Sequence, residues 1–151
     1  MLGQHRIFAD HYQFYVFDSE SDPHEVDEEW SDETVKKGFI GGKNSVHVIT
    51  YGDYNDHSVR LFLSAPKTEL VERDHEVTTT IEVASGNVRL SSPAYSREDE
   101  PVFKVPAGKY VLTVRSVNLG SEDPDAVDLN DNEFLKQEHL ERYELYFQLA
   151  V

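Results

Sequence analysis

The chain has 151 residues, no cysteine, and 29 acidic against 14 basic side chains, which gives a formal net charge of −15 at pH 7. This length predicts a single domain over residues 1–151, and the missing cysteines exclude disulfides, thiolate nucleophiles and Cys-ligated zinc sites. The strong negative charge disfavours direct binding to nucleic acids and to anionic membranes, whose phosphates it repels.

Apolar and polar residues alternate in eight short stretches, a pattern typical of β-strands with one buried face. In chain order, the predicted strands are residues 11–17, 46–51, 58–64, 76–83, 88–90, 102–105, 109–117 and 143–151. Turn-forming residues separate them, and several of these turns are predicted to be hairpin connections. The pattern predicts an all-β fold, an antiparallel β-sandwich of about eight short strands with one or two short helices; a barrel is the alternative.

Two short helices fit between the strands. Ser31 is a good N-cap for a helix that ends at Lys37, with Gly38 directly after it in the position that favours glycine. Residues 133–142 form a second candidate helix. The last predicted strand, residues 143–151, could lie at a sheet edge and pair with a copy of itself, so a homo-oligomer is an open alternative.

The net charge is concentrated in two stretches. The first acidic segment, residues 18–33, holds nine carboxylates and no Lys or Arg. The second acidic segment, residues 122–144, holds nine carboxylates with only Lys136 and Arg142. The remainder is close to neutral. A local field of one sign speeds the encounter with a positively charged protein, although acidic loops often serve only solubility, and charge alone favours that simpler interpretation.

No catalytic or metal-binding motif is present. The seven histidines show no ligand spacing, and His57, beside Asp53 and Asp56, is predicted to lie in a solvated turn. Residues 128–133 match only the first half of a calcium-binding loop, because Glu133 stands where that loop requires glycine. We therefore predict no catalytic residues, no metal and no cofactor, and a protein that is not an enzyme. Catalysis by paired carboxylates is the remaining enzymatic alternative, but nothing in the sequence selects a substrate for it.

The N-terminal residues lack the apolar core of a signal peptide, and no stretch approaches the ~20 apolar residues that cross a membrane. A cytoplasmic location is the expectation, with export by a route that the sequence does not display as the alternative.

Four stretches resemble the bacterial competence protein J family: residues 11–17 (HYQFYVF), 29–39 (EWSDETVKKGF), 81–88 (IEVASGNV) and 103–113 (FKVPAGKYVLT). Their order and spacing are similar over most of the chain, and the stretch from Trp30 to the aromatic residue after Gly38 is the most specific. The resemblance implies an inhibitor of a DNA-entry type nuclease.

Together, the resemblance and the charge predict a protein that binds a basic nuclease through acidic surface loops. The predicted partner-binding residues are Asp27, Glu28, Glu29, Glu122, Asp123, Asp125 and Tyr15. Trp30 is a further candidate anchor, but a lone tryptophan beside a helix start is expected to pack beneath that helix. The alternative function is a calcium-dependent β-sandwich module that recognises lipid or carbohydrate through its acidic loops.

Overall fold

Two five-stranded β-sheets pack face to face in the computed structural model, which describes residues 1–71 and 74–150. Within these residues the strands are β1 (Gly3–Ala9), β2 (Gln13–Asp18), β3 (Phe39–Gly41), β4 (Ser45–Ile49), β5 (Asn55–Phe62), β6 (His75–Val83), β7 (Asn87–Ser91), β8 (Val102–Lys104), β9 (Gly108–Val117) and β10 (Arg142–Leu149). The α-helices are α1 (Asp32–Lys37) and α2 (Asp131–Leu135), and 3₁₀ turns lie at Arg97–Asp99 and Pro124–Asp128.

The strand order is β1-β5-β10-β9-β6 in sheet A and β3-β4-β2-β7-β8 in sheet B. The predicted β-rich sandwich with two short helices is confirmed. The pairing is not wholly antiparallel, however, because β5 and β10 run parallel, with Ser58 beside Arg142. Parallel neighbouring strands need a long connection between them. Here the chain between β5 and β10 forms β7 and β8 of sheet B before it returns to sheet A.

The core lies between the sheets and follows from the alternation along the strands. Phe14 and Val16 of β2 face Leu112 of β9 and Phe147 of β10 within one hydrophobic cluster, and all four are fully buried. Burying a side chain of this size contributes about 1.5–3 kcal/mol relative to leaving it exposed. The alternation of apolar residues at every second position therefore decides which face of each strand packs in the core.

Two strands were missing from the sequence prediction. In β1 the inward residues Ile7 and Ala9 are buried, but Gln4 and Arg6 make the stretch too polar to stand out. Strand β3 has only three residues, which is too short for a periodic signal. Both strands form at the edges of their sheets, where one neighbouring strand is enough to hold them.

The prediction that the last strand lies at an edge is wrong. Strand β10 pairs with β5 on one side and β9 on the other, so it has no free edge for self-association. Residues 143–147 are buried without interruption, as expected for a strand covered on both faces. The residue predicted to end this strand, Val151, lies outside the described residues.

The second helix is shorter than predicted and begins earlier. Asn130 caps it by accepting a hydrogen bond from the Glu133 N–H at 2.9 Å, and it ends at Leu135 instead of residue 142. Leu140 reaches a small cluster with Ala126 and Phe134 from a loop, not from a helix. The first helix is confirmed, with Ser31 as N-cap and Gly38 at φ +92°.

Several turns expected to be hairpins are corners between the sheets. Among the predicted turns, those at 41–42 and 91–93 lie in connections between neighbouring strands, β3 to β4 and β7 to β8. The connections after β4, β6 and β8 each carry the chain from one sheet to the other.

Among the described residues, no helix is long and apolar enough to cross a bilayer.

Candidate protein-binding surface

The first acidic segment leaves β2 and is held against sheet B before it reaches α1. At its start, Asp18 is buried and accepts hydrogen bonds from the Ser85 N–H at 3.0 Å and the Ser85 hydroxyl at 2.5 Å. Farther on, the Pro23 carbonyl accepts from Ser45 Oγ and from His47 Nε2, both at 2.7 Å. Burial lowers the pKa of His47, which favours a neutral ring that donates this proton.

The segment then passes very close to the β3–β4 turn. The Asp27 N–H donates to the Gly41 carbonyl at 2.8 Å. A Cβ atom on Gly42 would lie 2.7 Å from the Glu25 carbonyl oxygen and 2.9 Å from the Val26 Cα, so only glycine fits there without a backbone shift. These contacts fix the path of a loop whose composition suggests disorder.

Most carboxylates of the first acidic segment are available to a partner. The exposed ones are Glu20, Asp22, Glu25, Asp27, Glu29, Asp32 and Glu33. The exceptions are Asp18 and Glu28. Glu28 forms an ion pair with Lys37 at 2.5 Å and accepts from the Gly41 N–H at 3.0 Å, so it joins the loop to α1 and β3.

The Glu28 contacts predict a pH-dependent contribution to stability. Hydrogen bonds from Lys37 and from the Gly41 N–H hold the pKa of the Glu28 carboxyl below its usual 4.5. A lowered folded-state pKa stabilises the fold above 4.5 and loses that contribution as the pH falls through the lower value. Urea unfolding should therefore show Glu28→Gln less stable than the unaltered protein at pH 7, with the difference shrinking below pH 4.5.

The matched control for this prediction is Glu29→Gln, since Glu29 is the exposed neighbour of Glu28. It should change stability little at either pH. An equal loss for both variants at pH 7, or a Glu28→Gln difference that persists below the lowered pKa, would show that the ion pair is not the cause.

The second acidic segment lies at the end of the sandwich where β9 ends and β10 begins. Its exposed carboxylates are Glu122, Asp123, Asp125, Asp128, Asp131, Glu133 and Glu138. Asp131 lies 3.5 Å from the Arg6 guanidinium, and Arg60 holds the pKa of Glu138 below its usual range through a hydrogen bond of 2.8 Å. Asp123 caps the 3₁₀ turn by accepting from the Asp125 N–H at 3.0 Å.

Two acids of this segment are internal. Glu144 is 7% exposed, pairs with Arg142 at 3.1 Å and accepts from the Tyr146 hydroxyl at 2.8 Å. Burial, with this hydrogen bond, raises the pKa of Tyr146 to about 12. Glu141 is 2% exposed. Neither carboxylate is available to a partner, although the sequence pattern does not distinguish them from their exposed neighbours.

Glu141 joins the β4–β5 loop to the β9–β10 loop at this end of the sandwich. Its carboxylate accepts from the Gly52 N–H at 3.2 Å, the Gly120 N–H at 3.0 Å and the Tyr143 hydroxyl at 2.7 Å. Burial, together with the Glu141 charge, raises the pKa of Tyr143 well above its usual value. The Tyr143 oxygen accepts in turn from the Tyr51 N–H at 3.0 Å.

The expectation that His57 lies in a solvated turn is wrong. His57 belongs to β5, is 1% exposed, and places its Nδ1 3.5 Å from a Glu141 carboxylate oxygen without a hydrogen bond. Within residues 1–71 and 74–150, no group of three or more His, Asp or Glu side chains is arranged to hold a metal ion. The stretch that resembled half of a calcium loop serves as the cap of α2.

A groove of about 210 Å³ lies between α1, the β4–β5 loop and the start of the β9–β10 loop. Val35 of α1 lines one side, and Leu119, just before the second acidic segment, lines another. Tyr51 lies between them in the β4–β5 loop, and the adjacent Gly52 has the Glu122 carboxylate 2.7 Å from the position of a Cβ atom. Helix α1, which begins at the end of the first acidic segment, therefore forms one side of this groove, and Glu122 of the second segment lies close to its Tyr51 wall.

Both expectations for aromatic anchors need correction. Tyr15 is 5% exposed, and its ring centroid lies 4.3 Å from that of His47 and 5.5 Å from that of His24, so it is not free to contact a partner. The first acidic segment covers this outward face of β2. Trp30 is 46% exposed, which is more than expected for a tryptophan packed beneath a helix.

Two exposed aromatic residues of the β4–β5 loop were missed, of which Tyr51 lines the groove. Tyr51 is 68% exposed and Tyr54 is 73% exposed, the latter with its ring in an edge contact with Phe8. Both lie in the turn-rich β4–β5 loop, where no strand or helix period can show which way a side chain points. Tyrosine and tryptophan are the side chains most enriched at the centres of protein interfaces.

Across residues 1–71 and 74–150, the fold is thus a ten-stranded β-sandwich with one long acidic loop packed on sheet B and a second at the β9–β10 end. The family model for competence protein J (ComJ) matches residues 6–148, and the chain belongs to this family. The family resemblance drawn from the sequence is confirmed.

Two solved structures share the fold. ComJ from Bacillus subtilis, an inhibitor of the DNA-degrading activity of NucA, aligns with a TM-score of 0.70 and 18% identity over 98% of this chain and 96% of its own. The crocagin biosynthetic gene J product aligns with a TM-score of 0.62 and 15% identity over 99% and 98%. No curated protein sequence matches significantly. The prediction that the chain is not an enzyme agrees with its family, whose B. subtilis member is an inhibitor.

Proposed function

We propose that this protein inhibits a NucA-like nuclease by binding it directly through the exposed carboxylates of its two acidic segments. Family membership supports the class of activity, since B. subtilis ComJ inhibits NucA. The observation that supports the mode of binding is the exposure of most carboxylates in both acidic segments, with Glu122 close to the groove that Val35 of α1 and the exposed Tyr51 line.

The charge of the surface favours a cationic protein as the partner. A nuclease binds DNA phosphates through Lys and Arg, and those side chains are attracted to carboxylates placed where phosphates would lie. The same field repels nucleic acid, so binding to the enzyme is favoured over binding to its substrate. Inhibition would follow from occupation of the DNA-binding groove of the nuclease.

The proposal keeps only those predicted partner-binding residues whose side chains are exposed. Asp27, Glu29, Glu122, Asp123 and Asp125 are exposed and stay in the proposal. Glu28 is engaged by Lys37 and the Gly41 N–H, and Tyr15 is buried, so we assign them structural roles. Tyr51 and Trp30 take the place of Tyr15 as aromatic contacts that would slow dissociation.

The direct test is degradation of linear DNA by the NucA-like nuclease of the same organism, with and without an equimolar amount of this protein. We expect cleavage to stop and the two proteins to elute together from a sizing column. Unimpeded cleavage together with separate elution would overturn the proposed function.

Electrostatic docking predicts a strong effect of salt on the association rate. Because exposed charges are screened over about 8–10 Å near 0.1 M salt, the association rate constant should fall roughly tenfold between about 0.02 and 0.3 M NaCl. The dissociation rate should change much less, since close packing sets it. Surface plasmon resonance measures both constants, and an association rate indifferent to salt would contradict docking through the acidic segments.

A further inference from the structure

Four strands lie at the edges of the two sheets, and three of them are covered or short. The outer edge of β1 is occupied by the Tyr95 hydroxyl, which accepts from the Phe8 N–H at 3.0 Å and donates to the Arg6 carbonyl at 3.1 Å. The outer edge of β3 is covered by the first acidic segment through Gly41. Strand β8 has only three residues.

The fourth edge, β6, is long and largely uncovered. It has nine residues, pairs only with β9, and keeps an unbroken register from His75 opposite Ser116 to Val83 opposite Gly108. Natural edge strands are usually blocked by proline, lysine, a bulge or a covering loop. The sequence HEVTTTIEV has no proline or lysine and its register is continuous, and the β3–β4 connection covers it only at Glu82.

The direction of the backbone N–H and C=O groups along β6 follows from the hydrogen bonds of Glu82, near the end of the strand. The Glu82 N–H donates to the Lys43 carbonyl at 2.8 Å, and the Glu82 carbonyl accepts from Asn44 Nδ2 at 3.1 Å, so both Glu82 groups point away from β9. In an antiparallel strand every second residue points the same way. The N–H and C=O groups of Glu76, Thr78 and Thr80 therefore also point outward, and no hydrogen bond to another described residue satisfies them.

We propose that an extended segment of the cationic nuclease adds to sheet A along β6, pairing with the outward backbone groups of Glu76, Thr78 and Thr80. This inference rests on the proposed function and adds the contact mode. Strand addition supplies affinity through main-chain hydrogen bonds and reads side chains at alternate positions.

Two observations favour the nuclease over a second copy of this chain as the occupant. Two copies that each carry a net charge of −15 repel each other, whereas a cationic protein is attracted to this chain. The edge also continues into the proposed binding surface, because His75, the first residue of β6, lines the groove together with Val35 and Tyr51. A strand paired along β6 would deliver its next side chain to that groove.

The first test is hydrogen exchange of the backbone amides, measured by NMR on the unaltered protein alone and in its complex with the nuclease. In the free protein, the amides of Glu76, Thr78 and Thr80 should exchange faster than those of Val77 and Thr79, which face β9. In the complex they should slow by about tenfold or more as they gain partners.

The second test is Thr78→Pro. Its N–H points outward, so proline removes no bond of the sheet ladder and is tolerated at an edge, but it takes away a donor that the added strand needs. The inhibition constant should rise about tenfold. The matched control, Thr78→Ala, keeps the N–H and should stay within about twofold.

The outcomes separate this inference from the proposed function. An intact complex in which the three amides stay unprotected would overturn strand addition and leave inhibition standing. A folded Thr78→Pro variant with unaltered inhibition would do the same. Protection of the three amides in a homodimer without nuclease would show that a second copy occupies the edge and would overturn the assignment to a nuclease segment. Should Thr78→Pro fail to fold, the exchange measurement still decides.

Discussion

Replacing Glu141 by alanine is expected to lower the free energy of unfolding by about 3 kcal/mol, equivalent to a fall in melting temperature of about 6–12 °C. The substitution removes the acceptor for the Gly52 and Gly120 N–H groups and for the Tyr143 hydroxyl. The loss is large because these donors are left without a partner next to a carboxylate site that is only 2% exposed. Urea unfolding followed by circular dichroism measures it.

Two variants provide the comparison for this prediction. Glu141→Gln keeps the shape and one acceptor oxygen, so it should lose less than alanine does. Glu138→Ala removes an exposed acid of the same loop that pairs with Arg60 and Arg142, and should cost less than about 1 kcal/mol. Equal stability of Glu141→Ala and Glu138→Ala would show that the buried carboxylate does not hold the two loops together.

Charge reversal at the exposed acids is expected to have the largest effect on function. The double variants Asp27→Lys/Glu29→Lys and Glu122→Lys/Asp125→Lys each carry a net charge of −11 instead of −15. We expect each to slow association with the nuclease about tenfold at low salt, and their combination about a hundredfold. Stability should change by less than about 1 kcal/mol, since these side chains are exposed.

The control for charge reversal places the same charge elsewhere. Glu69 and Glu98 are exposed acids outside both acidic segments, so Glu69→Lys/Glu98→Lys has the same net charge of −11. Stopped-flow association should be slowed less than threefold by this variant if local charge steers docking. Equal slowing by all three double variants would show that only the total charge matters, and no slowing by any of them would contradict electrostatic docking.

The acidic residues of the two segments differ in how clearly a substitution would report on binding. Acids that look equivalent in the sequence fall into two groups, those that hold the loops and those that face solvent. Asp18, Glu28, Glu141 and Glu144 are anchored by hydrogen bonds or ion pairs within the fold. Substituting them changes stability together with binding, so the exposed acids are the informative positions for testing inhibition.

The sequence alone determined the features that depend on near neighbours along the chain. The cap of α1 at Ser31 follows from hydrogen bonds within one turn, and its end at Gly38 follows from a left-handed backbone that glycine adopts freely. The alternation of residues 76–83 was enough to locate β6, and clustered carboxylates located the acidic segments. The family resemblance also came from short contiguous stretches.

Only the tertiary structure decided the features that depend on distant partners. Residues 143–147 are apolar enough for an edge or a centre, and their pairing with both β5 and β9 made β10 central. Tyr15 became buried because residues 23 and 24 fold back over sheet B, and Glu141 because glycine N–H groups from two loops meet at its carboxylate. Local patterns fix the conformation of a segment, whereas burial is set by long-range contacts that no single stretch of sequence contains.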